Sequence, residues 1–258
     1  MKFPRIAFAL LFSCCSVVAS ASAAADASKV YELRTYTAAP GKMDGMLARF
    51  RDHTVKLFEK HGIVNVGYWV LADAKEGVDQ KLIYLLEYPS REAAVASWKS
   101  FGADPEWQAA RRKSEEGGRL VTKVESVYLK ATDYTKAMNA GAKAGSAPRV
   151  FELRTYTAAE GKLPELDARF RNHTVALFAK HGMTNLGYFH PLDADKGAGT
   201  TLIYFLAYPS REAATAAWAK FRDDPEWTKA RTASEQNGKL AAKVDSVFLL
   251  PADFSAVK

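Results

Sequence analysis

Cysteine is almost missing from this chain: the two that occur, Cys14 and Cys15, are adjacent and sit near the N-terminus. The other 256 residues can therefore form no disulfide, cysteine nucleophile, zinc–thiolate site or iron–sulfur centre. Long apolar runs are also scarce, the longest being Ile6–Ala19. A one-signed charge cluster is absent too. The net charge is +7, but Lys and Arg are interleaved with Asp and Glu, which describes a mixed surface and argues against a nucleic-acid partner. No Gly-rich phosphate loop, HExxH, EF-hand loop or CxxC occurs, and neither Ser114 nor Ser234 lies in a nucleophile-elbow motif.

What is there begins with a leader. Lys2 and Arg5 precede the apolar run, and Ala21-Ser22-Ala23 follows it. That order predicts a secretory signal peptide over residues 1–25, cleaved after Ala23 or Ala25. The run is too short and too rich in Ser and Ala to span a bilayer well. Phe12 fits a lipidation site at Cys14 poorly. The mature chain is expected to be periplasmic or secreted, with no cysteine, no integral membrane segment and a charge of +5 once Lys2 and Arg5 are gone.

The rest is written twice. Shifted by 120 residues, VYELRTYTAAPGK meets VFELRTYTAAEGK and HTVKLFEKHG meets HTVALFAKHG, and 57 of the 99 positions from Tyr31 to Leu129 are identical without a gap. Copies this long are domains rather than solenoid units, so the expected division is domain 29–130, linker 131–148 and domain 149–251. Val30–Thr37 alternates as a strand, and the apolar residues between Lys42 and His61 fall at helical spacing, with Gly62 as the stop. Strands follow at Ile63–Leu71 and Leu82–Tyr88. Ser90 opens a second helix that pauses after Phe101 and restarts at Asp104-Pro105-Glu106, before a last strand at Leu120–Leu129. The order β-α-β-β-α-β predicts an α+β class: two ferredoxin-like domains, each an antiparallel sheet with helices on one face. The third strand is apolar on both faces, so the uncovered side needs a cover. The other copy supplies it, giving an intramolecular α+β barrel; a homodimer of such chains is left open.

If Tyr31 and Leu33 pack under the helices, Glu32, Arg34 and Tyr36, with Glu152, Arg154 and Tyr156, face the space between the sheets. There they form either satisfied ion pairs or a polar ligand pocket. Tyr68, Tyr84, Tyr188 and Tyr204 are candidates to line it, although large aromatics in sheets are first of all packing. His53 and His61, repeated as His173 and His181, are about 12 Å apart along the helix and cannot share a metal. His61 and His181 lie in the last turn, as caps of helix-end carbonyls or as acid/base groups. His53 and His173 sit on the flank of the apolar stripe. His190 stands opposite Val70 and belongs to one copy. Trp98, Trp107 and their repeats Trp218 and Trp227 read as core anchors, and Arg111 with Glu115 as an i,i+4 pair.

The segments VYELRTYTAAPGKMDGMLARFRDHTVKLFEKHGI, LIYLLEYPSREAAVASWKSFGADPEW and VESVYL, with their second copies, resemble the NIPSNAP domain. The resemblance implies a dimeric α+β barrel and no agreed catalytic set. Eukaryotic members of that family are mitochondrial, a setting the export signal does not match. The expected function is binding of a small molecule or a protein partner, without cofactor or metal. The alternative is a cofactor-independent monooxygenase or isomerase using a barrel-facing His or Tyr beside Arg34 or Arg154. A haem site is a minor branch, since only His, Met or Tyr could ligate and no set is specified.

Overall fold

The computed structural model describes residues 29–73, 80–136, 138 and 149–258. The expected signal peptide and most of the expected linker lie outside the described residues. In the first copy, strand β1 (Val30–Ala38) leads into helix α1 (Met43–Arg49), a π-helical turn (Phe50–Thr54) and helix α2 (Val55–Lys60). Strands β2 (Val64–Leu71) and β3 (Lys81–Tyr88), helices α3 (Arg91–Ala103) and α4 (Pro105–Ser114) and strand β4 (Val121–Ala131) follow. The second copy repeats them as β5 (Val150–Ala158), α5 (Leu163–Arg169), a π turn (Phe170–Thr174), α6 (Val175–Lys180), β6 (Thr184–Pro191), β7 (Thr201–Tyr208), α7 (Arg211–Arg222), α8 (Pro225–Ser234) and β8 (Ala241–Pro251).

Local chemistry explains the boundaries. Gly62 stands at φ 74°, the left-handed conformation that lets the chain leave α2 at once. Ser90 accepts the Ala93 amide at 3.2 Å to start α3, and Asp104 accepts the Glu106 amide at 2.8 Å to start α4. The π turn was not expected from the sequence. In it Thr54 Oγ1 donates to the Arg49 carbonyl five residues back at 3.1 Å, and Thr174 repeats this on Arg169 at 3.2 Å. One residue of slack lets Phe50 from one side of the turn and Leu57 and Phe58 from the other all reach the same buried cluster.

The eight strands close into an antiparallel barrel in the order β1-β3-β2-β8-β5-β7-β6-β4. Two four-stranded sheets meet along two short seams, Trp69–Leu71 against Leu249–Pro251 and Leu129–Ala131 against Phe189–Pro191. The space between the sheets is filled by a continuous apolar cluster that includes Leu33, Trp69, Leu85, Phe151, Leu153 and Phe205.

That cluster reverses the expected sheet faces. Leu33 points into the barrel, whereas Glu32, Arg34 and Tyr36 lie on the other face, beneath the helices. The physical reason is supply of donors. Between two sheets an acid would meet only aliphatic and aromatic neighbours, while α3 brings an indole N–H to it. The third strand, apolar on both faces, could not reveal the orientation.

The expected linker starts where β4 ends. Ala131 ends β4, and the chain beyond it lies along the other copy, Thr132 donating to the Tyr188 carbonyl at 2.9 Å and Lys136 to that of Leu186 at 3.3 Å. The C-terminal tail reciprocates: Ala252 donates to the Tyr68 carbonyl at 2.9 Å and Ser255 Oγ accepts the Tyr68 amide at 3.0 Å. Two arginine forks lock the exchange, Arg51 on Asp253 at 2.6 and 2.9 Å and Arg171 on Asp133 at 2.7 Å twice. Among the described residues no helix is long and apolar enough to cross a membrane.

Candidate functional site

Each copy buries one carboxylate at the centre of its sheet. Glu32 is fully buried on β1, opposite Leu86 of β3 and Tyr128 of β4. Such a group is tolerable only if its lone pairs are satisfied. Tyr88 Oη donates at 2.8 Å, Trp98 Nε1 at 2.7 Å and Ser126 Oγ at 2.5 Å, and Arg34 Nη1 completes the set. In the second copy Glu152 accepts from Tyr208 at 2.7 Å, Trp218 at 2.8 Å and Arg154 at 2.5 Å. Ser246, the counterpart of Ser126, is exposed and makes no hydrogen bond to Glu152.

The arginine beside each acid is held on three sides. Arg154 Nε donates to Tyr204 Oη at 3.0 Å, Nη1 to Glu152, and Nη2 to Tyr156 Oη at 3.4 Å, while its guanidinium stacks 4.3 Å from the Trp218 ring. Arg34 repeats this with Tyr84, Glu32, Tyr36 and Trp98. Burial works against the charge on both arginines, but the neighbouring tyrosines and the glutamate outweigh it and raise both pKa values. Burial raises the phenols of Tyr84, Tyr88, Tyr204 and Tyr208 as well, which keeps Tyr88 and Tyr208 as donors to the glutamates and Tyr84 and Tyr204 as neutral acceptors from the arginines.

Over the second of these centres opens a cleft of about 460 Å³ between β5, β8 and helices α7 and α8. Glu152, Arg154 and Tyr156 form its floor, and Trp218, Phe221, Trp227 and Phe248 line it. A guanidinium carries five N–H donors, of which Arg154 commits three to protein, so two remain for whatever occupies the cleft. A larger depression of about 980 Å³ lies beside the barrel, lined by Tyr31, Phe189, Lys130 and Met138 among others.

The other sequence candidates do not converge on the cleft. His53 and His173 are exposed to solvent on the π turns. His61 and His181 do not cap carbonyls. Their Nε2 atoms bond to the carboxylates of Asp104 and Asp224 at 2.6 Å, and His61 Nδ1 also bonds Ser100 Oγ at 2.7 Å. They tie the end of one helix to the cap of the next. Tyr68 and Tyr188 are buried, stacked on Tyr84 and Tyr204 at 5.3 and 5.1 Å, with their hydroxyls on Asn65 and Asn185. They belong to the core under the helices. His190 bonds the Thr201 carbonyl at 2.8 Å and pairs with Asp167 at 3.1 Å. Arg111 and Glu115 are an i,i+4 pair, joined by buried Arg49 at 3.0 Å from Glu115.

Sequence reasoning missed Trp98 and Trp218 as donors to the buried acids. The signal was present: they recur 66 residues after Glu32 and Glu152 in both copies, but helical spacing alone marked them as core. It also missed Arg211, which both copies keep, and Thr215 and Phe248, where the copies differ, as cleft residues. Among the described residues no group of three or more His, Asp or Glu side chains is arranged to hold a metal.

Comparison with known proteins gives a family and a fold. The profile of the NIPSNAP family matches residues 31–136 and again 151–256. No curated protein matches the chain. Of solved structures, a provisionally assigned monooxygenase from Fusobacterium nucleatum is similar at TM-score 0.55 and 10% identity, over 90% of this chain and 99% of that one. Another from Lactobacillus acidophilus gives 0.51 and 12%, over 90% and 99%. An anthrone oxidase-like protein gives 0.51 and 15%, over 87% and 91%. At these identities the likeness concerns the fold.

Proposed function

The chain belongs to the NIPSNAP family, and from that premise we propose that it is an exported protein that binds a small organic molecule in the cleft between sheet and helices of its second copy. Each copy, 29–130 and 149–251, is taken as a ferredoxin-like unit, and residues 1–25 as the signal that sends the chain to the periplasm or medium. One observation carries the reading: a cleft of about 460 Å³ whose floor is a fixed guanidinium with uncommitted donors and whose walls are aromatic. Sites for small ligands have this size and this mixture of apolar wall and a few placed polar groups. The network below the cleft is already satisfied, so it holds Arg154 rigidly and loses little on binding. The space between the sheets, where the sequence suggested a pocket, is occupied by side chains.

The reading as a monooxygenase or isomerase gains nothing from the geometry. None of the four repeated histidines lines the cleft, and the tyrosines that touch Arg154, Tyr204 and Tyr156, accept its N–H bonds. The arrangement holds and orients, and it offers no group poised to move a proton. Isothermal titration with 2-naphthol and 2-naphthoate tests the proposal, using the wild type and Thr215→Trp, which places an indole at the exposed rim. Binding of either probe that Thr215→Trp removes is the expected result. Binding of neither, or binding indifferent to that substitution, overturns it.

A further inference from the structure

The two copies keep most of the residues that line the cleft and differ at three, one of them Phe248 in place of Tyr128. Arg222, at the end of α7, stands where the first copy has Gly102, and Thr215 stands where it has Val95. The second cleft is lined by Arg154, Arg211 and Arg231, which the first copy matches with Arg34, Arg91 and Arg111, by Arg222, which it does not match, and by one acid, Glu152, which Arg154 already engages. Arg211 is tied to Asp73 at 3.1 Å and Arg231 to Glu235 at 3.3 Å. Arg222 is exposed and makes no hydrogen bond or ion pair among the described residues. Asp223, its neighbour along the chain, lines a different depression on the far side of α8.

Resting on the reading of this cleft as a ligand site, we propose that its ligand is a planar organic carboxylate, and that the first copy has not been fitted for one. Arg154 lies over the Trp218 ring at 4.3 Å, with one N–H on each of Nη1 and Nη2 not used by Glu152 or Tyr156. A carboxylate lying in the plane of the guanidinium can take both, as paired charge-assisted hydrogen bonds. The ring attached to that carboxylate then lies among Trp218, Phe221, Trp227 and Phe248. Arg222 and Arg211 at the rim supply the long-range attraction.

The test compares 2-naphthoate with neutral 2-naphthamide on three proteins by isothermal titration: the wild type, Arg222→Gly and Gly102→Arg. Arg222 is exposed and unpaired, so giving it the first copy's residue leaves the fold intact. Naphthoate is expected to bind the wild type at least tenfold more tightly than the amide, with affinity falling as salt is raised. Arg222→Gly is expected to lose about tenfold for naphthoate and nothing for the amide, the order of one partly screened charge contact. Gly102→Arg, which gives the first copy the one arginine it lacks, is expected to add a second, weaker naphthoate site, and its failure to do so would overturn the role given to Arg222. Equal binding of acid and amide, an Arg222→Gly protein that binds naphthoate unchanged, or two naphthoate sites on the wild type each overturn the inference while the cleft itself stands. Absence of any naphthyl binding overturns the cleft.

Discussion

Glu32 shows what a single buried side chain can demand. With donors from β1, β3, β4 and α3 it is the point at which sheet and helix layer are tied together. Glu32→Gln keeps the shape but turns an acceptor towards a donor and leaves Arg34 without its counter-charge. A loss of roughly 3–5 kcal/mol in urea unfolding is expected. Asp104 makes a second prediction. Hydrogen bonds from Lys60, then from His61, hold its carboxyl well below the usual carboxylate range, and Lys180 and His181 do the same for Asp224. A folded-state pKa depressed in this way stabilises above the unfolded value, near 3.9, and the contribution disappears as pH falls towards the folded value. The gap in melting temperature between the wild type and Asp104→Asn is therefore expected to be full at pH 6 and to shrink as the pH is lowered through about 4 towards 2. A gap that widens with acid would contradict this. His190 has the opposite sign. Burial lowers its pKa, but bonds to Asp167 and the Thr201 carbonyl prevail and raise it, so its contribution is complete below about pH 6.5 and lost as the pH rises through the folded value.

At the level of elements, β2 and β6 carry the least forgiving geometry. The Trp69 ring lies over Gly67, where an added Cβ would come within 2.4 Å of the indole, and Phe189 covers Gly187 in the same way at 2.3 Å. Gly67→Ala must displace Trp69 from the centre of the barrel, and a cost of about 1–3 kcal/mol in chemical denaturation is expected. Trp69→Phe, which copies the residue of the second sheet, removes a buried indole N–H without a partner and should cost less than a full aromatic truncation at Phe189.

The elements were largely legible in the sequence, because their signals are local: alternation in β1, Ser90 and Asp104 as caps, Gly62 as a stop. The orientation of β1 was not. Glu32, Arg34 and Tyr36 alternate with Tyr31 and Leu33 whichever face meets the helices, and the decision rests with Trp98, 66 residues away. The π turns were hidden for a similar reason, since one extra residue per turn is absorbed by packing on the sheet and leaves no mark in composition. The floor of the site could be read because both copies keep it. Its rim could not, because Arg222 and Thr215 stand out only once the cleft is known.

For the molecule as a whole, the crossed tails make the copies interdependent. Thr132 and Lys136 of one copy hydrogen-bond to β6 of the other, and Ala252 and Ser255 return the contact to β2. A protease site placed between residues 139 and 148 and cleaved in the native protein should leave two fragments that elute together on gel filtration. Separation into two monomers would show that the seams and tails do not hold the barrel.

The tandem arrangement also changes how the site can alter over time. If each copy were a separate chain assembling in pairs, every substitution would appear twice, and an arginine gained at one rim would be imposed on the other. Joined in one polypeptide, the halves mutate separately while the partner half remains at high effective concentration. One half can go on supplying the barrel's other wall while the other explores ligands. Gly102 and Arg222 are the two outcomes of that freedom, preserved side by side in one sequence.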